Sequence, residues 1–236
     1  MDKDILLRQI EINVKNCAKC RLCKTAKNPV PGEGNINAEL VFIGEAPGAT
    51  EDDTGRPFVG RAGKLLETTL AQIGLKREDV WIGNIIKHRP PENRDPLPDE
   101  ILACEPYLAL QLKAISPVLI VTLGRFSMNY FYPEGKISRD RGHVIKTNLY
   151  NVYPVYHPAA ALRNPTMMKD FRDDFLRIPS IIEQVKLSGG QFPSRAKDSS
   201  CFSGKVAENC AREIKKGNFQ KTETDHDSNG QMGLGF

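Results

Sequence analysis

Three cysteines and one histidine are of the residue types that bind metals. Cys17 and Cys20 form a CxxC pair, Cys104 lies far along the chain, and His88 begins the Pro-rich stretch HRPPENRDPLPDE. Three thiolates and an imidazole suit structural zinc, and they can also hold an iron–sulfur cluster, in which histidine is a rarer ligand. Cys23 extends the pair to CxxCxxC and is the alternative to His88 as the fourth ligand.

The elements that must position these residues alternate between strand and helix. Helical spacing predicts helices over residues 4–14, 60–73 and 97–115. Short apolar runs predict strands over 40–43, 80–86 and 118–123, and the segment 144–156 is predicted to form a hairpin. This alternation predicts an α/β fold with a largely parallel sheet. Loops after the carboxyl ends of such strands line one crevice, so we expect GEAPGATED, Asn84, TLGR and HPAAALRNP to meet in a single pocket.

The composition excludes several classes of protein. No run of about 18 apolar residues occurs, so the sequence predicts no membrane span. Charged residues interrupt the N-terminal stretch MDKDILLRQIEINVKNC, which argues against a signal peptide and for the reducing cytoplasm. In that compartment the six cysteines favour metal ligation or free thiols over disulfides. The net charge of +4 permits nucleic-acid binding without itself indicating it.

Four motifs occur in the order and at the spacing of a known enzyme family. They are CAKCRLC with VPGEGN, then GEAPGATEDDTGRPFVGRAGKLL, then NIIKHRPPENRDPLPDE, then VYHPAAALRNP. Over residues 13–185 the chain resembles the family 4 uracil-DNA glycosylases, which are iron–sulfur enzymes of thermophilic bacteria and archaea. The resemblance implies a three-layer α/β/α fold around a central, mainly parallel sheet of four strands.

The resemblance also implies a 4Fe–4S cluster, which this family holds with four cysteines. Cys17, Cys20 and Cys104 stand at three matching positions, and His88 stands at the fourth, because the family pattern KCRPP is KHRPP here. A related branch that captures uracil-DNA covalently is similar in having a histidine at this place. The resemblance therefore favours His88 over Cys23 in a structural cluster, with zinc as the alternative metal. An imidazole in place of a thiolate should raise the cluster's reduction potential.

The resemblance assigns the recognition of a base that has been flipped out of the DNA stack. Phe58 should stack on the base. Asn84 should accept from uracil N3–H and donate to O4, a pattern that cytosine reverses. The side chain of Glu45 should lie against C5 and exclude the methyl group of thymine. The backbone of Glu45 and Ala46 should also bind uracil.

Bond cleavage needs groups that stabilise a uracil anion and a cation-like sugar. By the resemblance, His157 should donate to uracil O2 and stabilise the anion. Glu51 should position water and stabilise the sugar cation. The family often has Glu where Ala49 stands, so Glu51 and Asp52 remain as the candidate acids.

The stretch HPAAALRNP resembles the DNA-intercalation loop of the family. Leu162 should enter the gap left by the flipped base, and Arg163 should hold a flanking phosphate. Arg56, Arg61 and Lys64 offer further contacts to the DNA backbone.

We therefore predict a monomeric uracil-DNA glycosylase that hydrolyses the N-glycosidic bond of uracil in DNA and starts base excision repair. One alternative is a relative that traps abasic sites covalently or excises another deaminated base. However, the covalent branch has a basic, His-containing insertion after the KH position, and RPPENRDPLPDE contains no histidine. The other alternative is a non-catalytic module that binds DNA or a clamp. The intact set Glu51, Phe58, Asn84 and His157 argues against it.

The C-terminal fifth of the chain differs in character. Residues 1–187 are predicted to form the glycosylase domain, and the polar, aperiodic residues 188–236 a flexible tail. The chain ends in QMGLGF, where Gln231, Leu234 and Phe236 resemble a shortened sliding-clamp-binding peptide. The usual second aromatic residue is missing and the spacing is compressed, so a polar tail without a partner is favoured over clamp binding.

Overall fold

A six-stranded sheet forms the centre of residues 2–189, which are the residues that the computed structural model describes. The strands are β1 (Glu33–Gly34), β2 (Leu40–Gly44), β3 (Trp81–Asn84), β4 (Leu119–Leu123), β5 (Ile145–Lys146) and β6 (Asn151–Val155). Their spatial order is β1-β3-β2-β4-β6-β5. The four central strands run parallel, and β1 and β5 pair antiparallel at the edges. The predicted parallel sheet is confirmed as the centre of a mixed sheet; β1 was not predicted, because two residues show no periodicity.

Helices cover both faces of this sheet. They are α1 (Lys3–Lys15), α2 (Ala49–Thr54), α3 (Arg61–Gln72), α4 (Pro98–Ile115), α5 (Arg125–Phe131), α6 (Ile137–Asp140), α7 (Pro158–Ala161), α8 (Pro165–Leu176) and α9 (Ile178–Leu187). The three predicted helices correspond to α1, α3 and α4 to within one residue at each end. Within residues 2–189, none of the helices combines the length and the apolar character needed to cross a bilayer.

The core is divided by the sheet into two apolar layers. Along β2, Leu40 and Phe42 face the layer that contains α3, α8 and α9, whereas Val41 and Ile43 face the layer that contains α4. The ring of Phe42 stacks on Phe175 with centroids 5.6 Å apart. Because both faces of the strand are fully buried, the sheet is the middle layer of three, as the resemblance implied.

A third apolar cluster joins the N-terminal helix to α4. Ile10 and Val14 of α1 pack against Tyr107 and Leu110 of α4, and Cys17 lies against the same cluster. The contact fixes the chain that leaves α1, so the CxxC pair is held beside the helix that carries Cys104.

Candidate active site and metal-binding residues

A pocket of about 390 Å³ opens at the carboxyl ends of the parallel strands. It is lined by all six predicted uracil-binding and catalytic residues and by the predicted DNA contact Arg163; the six are Glu45, Ala46, Glu51, Phe58, Asn84 and His157. They come from the segments after β2, at the end of β3 and after β6, as the parallel strand order predicts. The fourth expected segment, TLGR after β4, does not line the pocket. A larger cleft of about 720 Å³ lies beside α1 and β1, and none of these seven residues lines it.

Asn84 offers an unsatisfied polar atom to the pocket. Its side chain is 1% exposed, and its Oδ1 atom has no hydrogen-bond partner. A buried polar atom left without a partner costs about 1–3 kcal/mol, so a ligand that supplies a donor here recovers that energy. Gly44 pairs with Asn84 in the sheet register, and a Cβ atom at Gly44 would overlap both the Asn84 amide and the Phe58 ring. Glycine is therefore required for the two side chains to meet in the pocket.

His157 is held in one tautomer at the start of α7. Its Nδ1 atom accepts a hydrogen bond of 3.1 Å from the backbone N–H of Ala159. Because Nδ1 accepts, the proton of the neutral ring lies on Nε2. Burial lowers the pKa of His157 to about 4. The negative charge of Glu51 opposes this shift, and the positive charge of Arg163 adds to it. His157 is thus a neutral hydrogen-bond donor at physiological pH.

Glu51 and Asp52 are neighbours on α2 with different surroundings. Oε1 of Glu51 accepts from the backbone N–H groups of Val59 and Gly60, at 2.9 and 2.8 Å, which fixes the carboxylate in the pocket. Asp52 is buried away from the pocket, and its Oδ1 accepts from the backbone N–H of Lys27 at 2.9 Å. Of the two acids that the sequence left open, Glu51 is the one that lines the pocket.

Glu45 has a carboxyl group that titrates near neutrality. Burial raises the pKa of Glu45 to about 7, and the negative charge of Asp95 adds to the effect while Arg125 opposes it. Its backbone carbonyl accepts from the N–H of Ile86 at 3.2 Å, which keeps the start of the GEAPG loop against the chain beyond β3.

Three of the four predicted metal ligands, Cys17, Cys20 and Cys104, lie near one another beside α4. Cys104 is buried in the apolar cluster against which Cys20 packs, and its Sγ accepts from the backbone N–H of Lys87 at 3.4 Å. Burial raises the pKa of the Cys104 thiol to about 11, and the charges of Cys20 and Cys17 add to the shift. A cation bound among these sulfurs would offset that cost and favour the thiolates.

His88 follows Lys87 directly in the chain and lies four residues beyond the end of β3. It is buried, its Nδ1 has no hydrogen-bond partner, and burial lowers its pKa, so a free lone pair is available to a metal. Cys23 is half-buried, and its backbone N–H donates to the carbonyl of Cys20 at 3.4 Å. The donor types therefore suit an iron–sulfur cluster.

A single metal ion is less well matched. Structural zinc requires four donors grouped around one point. Among residues 2–189, no group of three or more His, Cys, Asp or Glu side chains is arranged to hold one ion. The ligands of a cluster bind different iron atoms and stand further apart than those of one ion, so this finding concerns a single ion and does not test a cluster.

A family model for the uracil DNA glycosylase superfamily matches residues 31–178. The type-4 uracil-DNA glycosylase of Saccharolobus solfataricus is 48% identical over 189 residues, covering 76% of this chain and 88% of the relative. The chain belongs to the type-4 uracil-DNA glycosylase family. The type-4 uracil-DNA glycosylase of Archaeoglobus fulgidus is also 48% identical, over 73% of this chain and 91% of its own length. The type-4 enzyme of Thermotoga maritima is 44% identical, over 69% of this chain and 86% of its own length. The family resemblance stated from the sequence is confirmed.

The segment with the predicted DNA contacts of this type-4 family member is partly helical and not the loop that was expected. His157 caps α7, Leu162 ends it at 39% exposure, and Asn164 caps α8. Proline at the first position of each helix fixes the backbone for a helical start, a signal present in the sequence. Arg163 lines the pocket between the two helices.

Two groups of residues near the pocket were missed from the sequence. Asn93, Arg94 and Asp95 line the pocket, and their position in the Pro-rich stretch after KHRPP was the available signal. Arg77 donates to the carbonyls of Pro57 and Phe58, and no local sequence pattern indicates this contact.

Proposed function

We propose that this protein hydrolyses the N-glycosidic bond of uracil in DNA and thereby starts base excision repair. The prediction of a uracil-DNA glycosylase made from the sequence is confirmed at the level of the family by relatives that carry that name. The observation that carries the proposal is the buried, unpartnered Oδ1 of Asn84 beside the ring of Phe58. Uracil N3–H donates to this oxygen, whereas the N3 of cytosine is an acceptor and leaves it unsatisfied.

The remaining walls complete the recognition of the flipped base. Phe58 provides the stacking face, and its ring lies 5.9 Å from that of His157 at 36°. The side chain of Glu45 lies against C5 and leaves no room for the thymine methyl group. The backbone of Glu45 and Ala46 binds the edge of the base. Base recognition thus uses groups that are in place before DNA arrives.

Cleavage proceeds with charge stabilised at both ends of the breaking bond. As the bond to the sugar breaks, uracil leaves as an anion, and the Nε2–H of neutral His157 donates to O2. Glu51 is anchored through Oε1, so its other oxygen orients the attacking water, balances the positive sugar and receives the water's proton. The backbone anchors hold this carboxylate in place throughout.

Residues around the mouth hold the DNA. Leu162 enters the gap in the stack, which costs unstacking energy and keeps the base from returning. Arg163 binds a flanking phosphate. Arg61 and Lys64 lie in the first turn of α3 and add backbone contacts. Arg56 pairs with Glu33 at 3.0 and 2.9 Å, so its charge is already engaged in the protein.

Cys17, Cys20, Cys104 and His88 would hold a 4Fe–4S cluster. When bound, the cluster ties the segment after α1 to α4 and takes no part in bond cleavage. Iron and sulfide contents are measured on protein purified without oxygen. A ratio near four irons per chain that falls in His88→Ala and stays in Cys23→Ser supports this ligand set. The reverse pattern assigns Cys23, and zinc with no sulfide supports the alternative metal.

The proposal also covers the domain extent, the oligomeric state, the compartment and a second partner of the enzyme. Residues 1–187 form the glycosylase domain, and the enzyme acts as a monomer in the cytoplasm. Gln231, Leu234 and Phe236 lie outside the described residues, and clamp binding through them is the less favoured alternative to a polar tail without a partner. Binding of a labelled QMGLGF peptide to purified clamp, lost on Phe236→Ala, tests this contact.

The activity is tested with a labelled oligonucleotide that contains one uracil. Alkali treatment and a denaturing gel report uracil release, and an untreated protein gel reports covalent trapping. Strand cleavage without a protein–DNA adduct supports the proposal. An SDS-stable adduct supports the covalent branch. DNA binding without either product, in folded and metal-loaded protein, supports the non-catalytic module.

A further inference from the structure

The backbone of Phe58 adopts a conformation that its surroundings must hold. Its φ angle is 51°, in the left-handed region that non-glycine residues rarely occupy. Such a conformation persists only where neighbouring groups over-determine it, and it is found mostly at functional sites. The ring that stacks on the base therefore depends on contacts made by the peptide groups around it.

These peptide groups are fixed from two sides. On one side, Glu51 accepts from the N–H groups of Val59 and Gly60. On the other side, the guanidinium of Arg77 donates through Nη1 to the carbonyl of Phe58 at 3.0 Å and through Nη2 to the carbonyl of Pro57. Two consecutive carbonyls are thus gripped by one rigid planar group, which a lysine cannot reproduce.

Arg77 is in turn held by Glu33 of the VPGEGN motif, to which no other role has been assigned. The Arg77 side chain is 17% exposed, and its Nε donates to Glu33 Oε1 at 2.9 Å. β1 places Glu33 opposite Ile82 of β3, at the edge of the sheet nearest Arg77. Burial would raise the pKa of Glu33, but hydrogen bonds from Arg56 and Arg77 bring it below its usual value, so the carboxylate stays ionised.

We propose that Arg77, oriented by Glu33, is a positioning residue that fixes the Phe58 ring for stacking on the flipped base. Arg77 does not line the pocket. It acts only through its hydrogen bonds to the Pro57 and Phe58 carbonyls. Gly63 permits the same strained turn, because a Cβ there would overlap the Phe58 carbonyl. The expected effect of Arg77 on uracil excision rests on the proposed function. Its expected effect on the backbone around Phe58 rests on the geometry alone.

A double-mutant cycle tests the catalytic consequence. Single-turnover uracil excision is measured for Arg77→Ala in the presence of Phe58 and in a Phe58→Ala background. When Phe58 is present, we expect Arg77→Ala to slow excision about 10-fold or more. In the Phe58→Ala background we expect a loss of less than about 2-fold, because the ring that Arg77 positions is absent. Equal losses in the two backgrounds would overturn the proposal.

Arg141→Ala is the matched control. Arg141 is similarly exposed at 22%, pairs with Asp170 and Asp174, and is remote from Phe58 in these contacts. We expect its substitution to lower the melting temperature without any coupling to Phe58→Ala. If Arg77→Ala does not fold, Glu33→Gln and Arg77→Lys replace it, and both should show the same coupling in reduced form.

Hydrogen–deuterium exchange separates this proposal from the proposed function. The N–H groups of Val59 and Gly60 should exchange faster in Arg77→Ala than in the wild type, and not faster in Arg141→Ala. This readout needs no activity. Absence of uracil excision with faster exchange would refute the function and keep the positioning role. Wild-type excision with unchanged exchange and no coupling would refute the positioning role alone.

Discussion

His157 should remain neutral and keep its proton on Nε2 well below physiological pH. Its pKa lies at about 4, against a usual value of 6.5, because burial disfavours the cation. The difference of about 2.5 units is roughly 3 kcal/mol against protonation. At pH 5.5, about 3% of the rings would then be cationic, compared with about 90% for an unperturbed histidine. The contrast is large enough to measure directly.

The same shift predicts the direction of a stability change. As the pH falls from 6.5 to 4, the unfolded chain binds a proton at His157 and the folded chain does not. The free energy of unfolding from this group therefore decreases on acidification across that window, by up to roughly 3 kcal/mol. Comparison of urea unfolding of the wild type and His157→Gln at pH 7 and 5 isolates the contribution, which the variant should lack.

The assay is nitrogen NMR of protein labelled at histidine, with His157→Gln assigning the resonance. We expect Nδ1 unprotonated and Nε2 protonated down to about pH 5. The excision rate should likewise show no inflection near 6.5 from His157. Glu45, whose pKa is raised to about 7, titrates in that range, so the profile is repeated in Glu45→Gln. An imidazolium at pH 6, or a proton on Nδ1, would refute the reasoning.

Four further substitutions, at three positions, test the pocket and its support. Glu51→Gln keeps an acceptor for the Val59 and Gly60 amides, so excision should fall about 10²–10⁴-fold with little change in melting temperature. Glu51→Ala removes both bonds and should also lower the melting temperature, and equal melting of the two variants would contradict the anchoring. Asn84→Asp presents only acceptors, so the ratio of uracil to cytosine excision on matched oligonucleotides should fall; an unchanged ratio would contradict base reading by Asn84. The buried amine of Lys87 donates to the Asn84 carbonyl at 3.0 Å and to Gln111 Oε1 at 2.9 Å. Lys87→Met leaves both oxygens without this donor, which should lower the free energy of unfolding by about 1–3 kcal/mol for each oxygen. Thermal unfolding measures this loss, and a melting temperature within about 1 °C of the wild type would argue against it.

Several elements were predicted from the sequence, whereas the longer helices α8 and α9 were not. β2, β4, α3 and α4 bury one or both faces in the core, so their apolar patterns are dictated by packing. The short helices α2 and α7 were not predicted, because four to six residues show little periodicity and are held by tertiary contacts.

The motifs predicted most of the residues that line the pocket, but the sequence did not predict their local geometry. Glu51 and Asp52 could not be distinguished, because adjacent helical residues point about 100° apart and only the folded chain shows which faces the pocket. The left-handed conformation of Phe58 depends on Arg77, which is 19 residues away in the chain. Predictions that concern residues 190–236 lie outside the described part of the chain.

α2 is a six-residue helix that has little stability of its own. Asp52 joins it to the backbone of Lys27, just beyond the cysteine motif, and Glu51 joins it to the turn at Val59 and Gly60. The placement of the Glu51 carboxylate thus depends on two stretches of chain outside the helix. Local opening of either stretch would release the helix while the sheet stays intact. On heating, activity should therefore disappear at a lower temperature than the one at which the protein melts.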